Sequence, residues 1–335
     1  MTKADQLKAL LLSHAENDDA RFYAVAMQVA AQEARQGHGV FAEEIRRIVD
    51  EAKSKRAALR ASDGPVPIVQ PRGELAALLS ASFPKVRLAD MILATETFER
   101  LRRILREQRQ LMKLKAHGLR PRRKLLLLGS PGTGKTMSAS ALAGELSLPL
   151  LVIRLDGIIT KFLGESAAKL RLVFDAMLQT RGVYLFDEFD SIGTQRAMPN
   201  EVGEIRRVLN AFLQFIEQDQ SDSLVLAATN HADALDYALY RRFDDVITFQ
   251  LPDSEHIRMA LQSKLSMYPE TTVDWDRVTK EADGLSYAEV TRACEEAVKD
   301  VIISERTSLT TEILLAAIAE RRLISGSGVR PAGTL

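Results

Sequence analysis

Residues Gly129-Ser130-Pro131-Gly132-Thr133-Gly134-Lys135-Thr136 carry the spacing G-x-x-x-x-G-K-T between two segments of different periodicity. Before them, Leu125 to Leu128 is an unbroken apolar run, the pattern of a parallel strand buried on both faces. After them, Met137 to Ala143 reads as a helix. Glycines in such a loop let backbone N–H groups wrap a polyphosphate, and the helix N-terminus adds the positive end of its dipole. The spacing therefore predicts a nucleoside triphosphate site lined by Pro131, Gly132, Thr133, Gly134, Lys135, Thr136 and Met137. Lys135 would reach the β- and γ-phosphates, and the Thr136 hydroxyl a Mg²⁺ ion. A strand, a phosphate loop and a helix in that order require an α/β fold.

Val183-Tyr184-Leu185-Phe186 is a second apolar run, and it ends in Asp187-Glu188-Phe189-Asp190. Carboxylates at the C-terminal end of a buried strand stand where open α/β sheets bind ligands. Asp187 is suited to the Mg²⁺ shell and Glu188 to polarising the attacking water. Leu224 to Ala228 repeats the pattern and ends in Thr229-Asn230, where Asn230 would orient that water or touch the γ-phosphate. Arg241-Arg242-Phe243-Asp244 follows. A subunit supplying lysine, metal and water-orienting groups still lacks a second cation for transition-state charge. An arginine presented in trans supplies it, with rate effects of roughly 10³ to 10⁵.

Elsewhere the chain is less specific. Lys plus Arg and Asp plus Glu are both 45, so the net charge is zero and nothing global points to nucleic acid or an anionic membrane. The lone Cys294 excludes an internal disulfide, and its helical setting predicts a packed thiol in a reducing, cytoplasmic protein. No apolar run has the length of a membrane span. Residues 1–60 predict a bundle of three amphipathic helices, a docking module for partner or substrate, and residues 61–73, with three prolines, a linker. A short helix is expected near Glu74 to Ser80. Arg100 to Lys124 holds eleven basic residues and one acid, Glu107, on an amphipathic pattern; a solvated or intersubunit helix face is expected there rather than a nucleic-acid surface. The five histidines show no zinc spacing.

The order of phosphate loop, Asp-Glu-Phe-Asp, Ala-Ala-Thr-Asn and Arg-Arg-Phe-Asp resembles the AAA clade of AAA+ ATPases over about residues 88 to 322. The resemblance implies a five-stranded parallel sheet flanked by helices over residues 74–252, a helical lid over 253–323, and a homo-hexameric ring with ATP at its interfaces. It makes Asn230 the sensor-1 residue, Arg242 the arginine finger and Arg241 the candidate second finger. Lys161, Phe162, Leu163 and Gly164 resemble the pore loop by which unfoldases of this clade grip an extended polypeptide; read alone, Phe162 and Leu163 also fit a helix end packed in the core. Residues 191–203 fall where a second pore loop would lie.

Beyond Pro252 the pattern is wholly helical, with a capping box at Ser286 to Glu289, and the tail from residue 324 is expected to be disordered. Ala288 fits the small residue that the clade carries at its sensor-2 position, and Arg292 is expected on the lid surface. The implied function is a Mg·ATP hydrolase threading polypeptide through a pore. No H-E-x-x-H helix is present, so proteolysis would need a separate protease partner. An ATP-dependent assembly switch or scaffold is the alternative, and a nucleic-acid remodeller the third.

Overall fold

The computed structural model describes residues 73–158, 165–190, 202–232, 237–266 and 271–326, with isolated positions outside those ranges. The chain divides into two compact units, residues 1–68 and 69–335. In the first, only Met27, Val29, Ala30, Glu43 and Arg47 are described, each helical. The rest of the expected bundle over 1–60 lies outside the described residues, as does the expected linker over 61–73 apart from Pro71 and Gly73.

The second unit opens with α1 (Glu74–Leu78), β1 (Leu79–Ser82), a 3-10 turn at Leu88–Asp90, α2 (Thr95–Arg109) and α3 (Leu111–Ala116). Strands and helices then alternate: β2 (Lys124–Gly129), α4 (Lys135–Leu146), β3 (Leu150–Ile153), α5 (Leu155–Ile158), α6 (Glu165–Gln179) and β4 (Val183–Phe186). After these come α7 (Val202–Gln218), β5 (Leu224–Thr229), α8 (Tyr237–Tyr240) and β6 (Asp245–Phe249). Alternation of this kind produces a parallel sheet with helices on both faces.

The sheet order is β1-β3-β4-β5-β2-β6. All neighbours run parallel except β1, which pairs antiparallel to β3 from Leu79↔Ile153 to Ser82↔Leu150. The five parallel strands are those the resemblance implies, and β1 is a sixth, on the edge. Leu-Ser-Ala-Ser alternates over four residues only and directly follows a helical pattern, so its first residues read as the continuation of α1.

Each central strand is buried on both faces because consecutive side chains point to opposite sides. Leu126 and Leu128 join Tyr184, Phe186, Phe212 and Phe243 in one core, beneath α6 and α7. Leu125 and Leu127 join Leu185, Leu226, Leu101 and Leu142 in the other, beneath α2 and α4. Burying one leucine completely contributes about 1.5–3 kcal/mol, and truncating Leu126 to alanine would cost roughly 2–5 kcal/mol. In the first core, the Phe212 ring centroid lies 5.0 Å from Phe186, 4.7 Å from Phe189 and 6.5 Å from Phe243.

The outer edge of β6 is capped by α2: Arg100 donates to the Val246 carbonyl at 2.6 Å and Thr97 to that of Thr248 at 3.3 Å. Most of the basic stretch is likewise tied to the protein's own carboxylates. Arg102 meets Glu99, Arg103 meets Glu107, Arg109 meets Glu145, Lys115 meets Asp222 and Arg122 meets Glu107.

Beyond Pro252, α9 (Ser254–Leu265), α10 (Trp275–Glu281), α11 (Tyr287–Ile303) and α12 (Thr311–Gly326) enclose a third core that includes Leu261, Val290, Cys294 and Leu314. The segment is not wholly helical: β7 (Thr271–Thr272) and β8 (Leu309–Thr310) pair as a two-stranded parallel sheet. Two-residue strands are too short to show a period, and no pattern in the residues announces them. The tail also begins later than expected, because Ile324, Ser325 and Gly326 continue α12; residues 327–335 lie outside the described residues. Ser286 caps α11 by accepting the Glu289 N–H at 3.3 Å. The reciprocal half of the box is not made: one Glu289 oxygen is buried without a hydrogen bond, and the other faces Arg292 at 3.8 Å.

Candidate functional site

The carboxyl ends of β2, β4 and β5 lie side by side, with Phe186 opposite Ala227 and Leu128 opposite Thr229. The phosphate loop, Asp187 and Asn230 therefore emerge at one edge of the sheet. Gly134, at φ +104°, caps α4, and Gly132, at φ +75°, turns the loop against the lid. A β-carbon on Gly132 would lie 2.5 Å from the Ser286 hydroxyl and 2.8 Å from the Ala288 methyl, so only glycine fits. The Ala288 N–H donates to the Gly132 carbonyl at 3.1 Å, which joins the lid to the loop. Pro131 and Gly132 are exposed, while Thr133 is buried and donates to the Ser130 carbonyl at 2.8 Å.

Lys135 begins α4 and is only 7% exposed. Its ammonium donates to the carbonyls of Gly129 (2.7 Å) and Ser130 (2.9 Å) and to Asn230 Oδ1 (2.8 Å). Burial lowers its pKa, against the opposing pull of Asp187 and Asp190. An anion placed before it gains from a poorly hydrated cation and from the free N–H groups of the helix start. The Thr136 hydroxyl donates to Asp187 Oδ2 at 2.8 Å, a pair of hard oxygen donors of the kind Mg²⁺ takes.

Glu188 sits at φ +50°, unusual for a residue with a β-carbon and costing about 1–3 kcal/mol. Asp187 Oδ1 accepts its N–H at 3.0 Å, and the next N–H, of Phe189, donates to Ala228 at 2.8 Å. The turn buries Phe189 and leaves Glu188 exposed at the mouth of the site. Asp190 belongs to the same apparatus, although sequence reasoning gave it no role. Its Oδ1 accepts from the Thr229 hydroxyl at 3.0 Å and the Asn230 N–H at 3.4 Å, fixing the residue that meets Lys135. The signal was an acid two positions beyond Glu188, but only the fold shows what it faces.

Sequence reasoning also missed a cavity of about 670 Å³ beside the loop. Met91, Ile92 and Leu93 line one side, Met137 the floor, and Tyr287, Cys294 and Val298 the lid side. Three segments far apart in sequence build it, so no local pattern could announce it. Within it Cys294 is a packed thiol, and burial pushes its pKa up to about 12.

The remaining candidates stand apart. Arg241 and Arg242 are exposed, and Arg242 pairs with Glu217 at 3.2 Å. Arg292 is exposed on the lid. Lys161, Phe162, Leu163 and Gly164 lie outside the described residues, as do residues 191–201. Among the described residues, no helix is long and apolar enough to cross a membrane.

The family model for the ATPase family associated with various cellular activities matches residues 125–251, from β2 through β6. An uncharacterized AAA family ATPase, y4kL, of Sinorhizobium fredii is 33% identical over 91% of each chain. A proteasome-activating nucleotidase of Methanoregula boonei is 33% identical over 62% of this chain and 49% of its own length. The ATP-dependent zinc metalloprotease FtsH of Akkermansia muciniphila is 32% identical over 74% of this chain and 31% of its own length. The chain thus spans nearly all of the first relative and half or less of the other two. The phosphate loop, the paired carboxylates, Asn230 and these likenesses agree: the chain belongs to the AAA family of ATPases and hydrolyses ATP.

Proposed function

We propose that this ATPase is a Mg²⁺-dependent polypeptide remodeller, assembled as a homo-hexameric ring in the cytoplasm and threading its client through a pore lined by Phe162. The observation that carries the reading is the closed network Asp190–Asn230–Lys135 beside the pair Thr136–Asp187, with an exposed arginine, Arg242, outside it. One subunit thus holds every group for binding and water activation, and presents a cation that a neighbour's nucleotide would use.

Lys135 would exchange its carbonyl contacts for β- and γ-phosphate oxygens. Asn230, held by Asp190, would orient the water, and Glu188 would take its proton as the oxygen attacks phosphorus and ADP departs. Thr136 and Asp187 would hold Mg²⁺, which would supply neutralisation of phosphate charge. The adenosine half fits the apolar cavity between Met91–Leu93 and the lid, where Ala288 joins lid to loop.

Two of the relatives are named for activating a proteasome or for proteolysis, which supports a protein client and a separate effector for this chain. The ion pairs of the basic stretch weigh against nucleic acid. The test is Phe162→Ala: substrate remodelling should be lost while ATP turnover stays within about threefold. Remodelling that survives with normal ATPase contradicts threading.

A further inference from the structure

The foot of β2, at the end away from the phosphate loop, is bonded to the segment that carries Arg242. Asp244 Oδ2 accepts the backbone N–H groups of both Arg123 and Lys124, each at 2.9 Å. The Asp244 N–H in turn donates to the Lys124 carbonyl at 2.8 Å. Phe243, between Asp244 and the arginine, is 8% exposed and packs in the core that Phe212 anchors. The outward-facing Arg242 thus follows directly from an inward-facing Phe243 and a triply bonded Asp244.

The other side of the arginine faces a segment that is itself held by Arg123. Its guanidinium meets Glu217 near the end of α7. Asp219, two positions on, forms an ion pair with the Arg123 guanidinium, and these side chains are 1% and 7% exposed. Asp219 also accepts from the Ser221 N–H at 3.0 Å and its hydroxyl at 3.2 Å. Arg123 is therefore bonded both to the segment that carries Arg242 and to Asp219, two residues beyond the carboxylate that holds its head.

We infer that Asp244 is a positioning residue for Arg242, fixing the arginine's backbone to the foot of the strand that carries the chain's own phosphate loop. The inference rests on the reading of Arg242 as an arginine acting in trans. Placement matters because a displacement of about 1 Å in such a group costs roughly 10²-fold in rate. A strand-entry bond with a structural role alone would lower stability without affecting a neighbour's site.

Mixed assemblies separate the two roles. Asp244→Ala alone should lower turnover roughly 10²-fold with ATP affinity unchanged, on the same placement argument. Mixed in equal amounts with Glu188→Gln, whose own site is dead but whose Arg242 is correctly placed, it should recover about tenfold or more, because about half of the intact sites then face a good arginine. Arg242→Ala, mixed in the same way, should recover likewise. Recovery of the Arg242→Ala mixture but not of the Asp244→Ala mixture overturns the inference and leaves the arginine's role standing. Normal turnover by Arg242→Ala alone removes the arginine's role and the inference with it. Asp244→Asn, whose carbonyl oxygen accepts both N–H groups, should keep at least about a tenth of wild-type turnover; a loss as deep as the alanine's contradicts the bonding account. If Asp244→Ala does not fold, Asp244→Ser, whose shorter hydroxyl reaches at most one of the N–H groups, takes its place.

Discussion

Lys135 and Arg242 are both cations proposed to meet phosphate, the first on the chain's own nucleotide and the second on a neighbour's, and the fold treats them in opposite ways. Lys135 is 7% exposed and has its three donors occupied. The Arg242 side chain is 40% exposed and held by one ion pair to a carboxylate still more exposed. Desolvation makes the first a strong anion ligand that is ready before substrate arrives. An exposed pair of the second kind contributes about 0–1 kcal/mol, so it can be exchanged for a better anion at little cost. Groups that face the chain's own nucleotide site are built inward, and the arginine proposed to serve a neighbour is built outward on an anchored backbone.

The comparison breaks most clearly at the arginine. Arg242→Ala should lower kcat by roughly 10³-fold while leaving ATP affinity and Tm nearly unchanged, because it touches nothing buried. Steady-state turnover, calorimetric binding and a melting curve check this; a matching loss of affinity would make it an inward-type residue. Lys135→Ala should do the reverse, weakening ATP binding by about 10- to 150-fold, the worth of a charged hydrogen bond of roughly 1.5–3 kcal/mol. Fluorescent-nucleotide titration reads it, and affinity within threefold of wild type would remove Lys135 from the phosphates.

Asp190→Ala sharpens the inward half. The Thr229 hydroxyl and Asn230 N–H lose their acceptor, so kcat should fall about tenfold with KM little changed. A rise in KM alone would mean that Asp190 serves binding rather than the water.

The smallest effect belongs to the lid. Asp253 caps α9, and bonds from the His256 N–H and ring hold its carboxyl below the usual carboxylate range. Because the folded pKa is the lower one, the cap's contribution is present above the unfolded value near pH 4 and is lost as pH falls through the folded value. Asp253→Ala should cost about 0.5–2 kcal/mol at pH 7. Its Tm deficit should shrink in acid; a deficit independent of pH down to 3 would contradict the cap.

The same contrast explains what the sequence made legible. Gly129 to Thr136, Asp187-Glu188 and Asn230 could be read because each follows an apolar run that must be a buried strand, and the strand's end dictates where they point. Asp190 could not be given a role, since its partners Thr229 and Asn230 are about forty residues away. Asp244 was hidden for the same reason: its bonds reach back to Arg123 and Lys124. The cavity beside Met137 needed Met91–Leu93 and the lid to meet there. Short strands such as Leu79–Ser82 and Thr271–Thr272 escaped because pairing with a distant partner, rather than periodicity, makes them strands.

The outward arginine has a use only if a neighbour is present when nucleotide is bound. The most direct measurement is the mass in solution of the Glu188→Gln protein with and without Mg·ATP. Hydrolysis should be blocked in that variant while both cations stay in place, so the account predicts a nucleotide-dependent shift to about six subunits. A mass that remains at one subunit with saturating Mg·ATP contradicts it, because Arg242 would then have no site to enter.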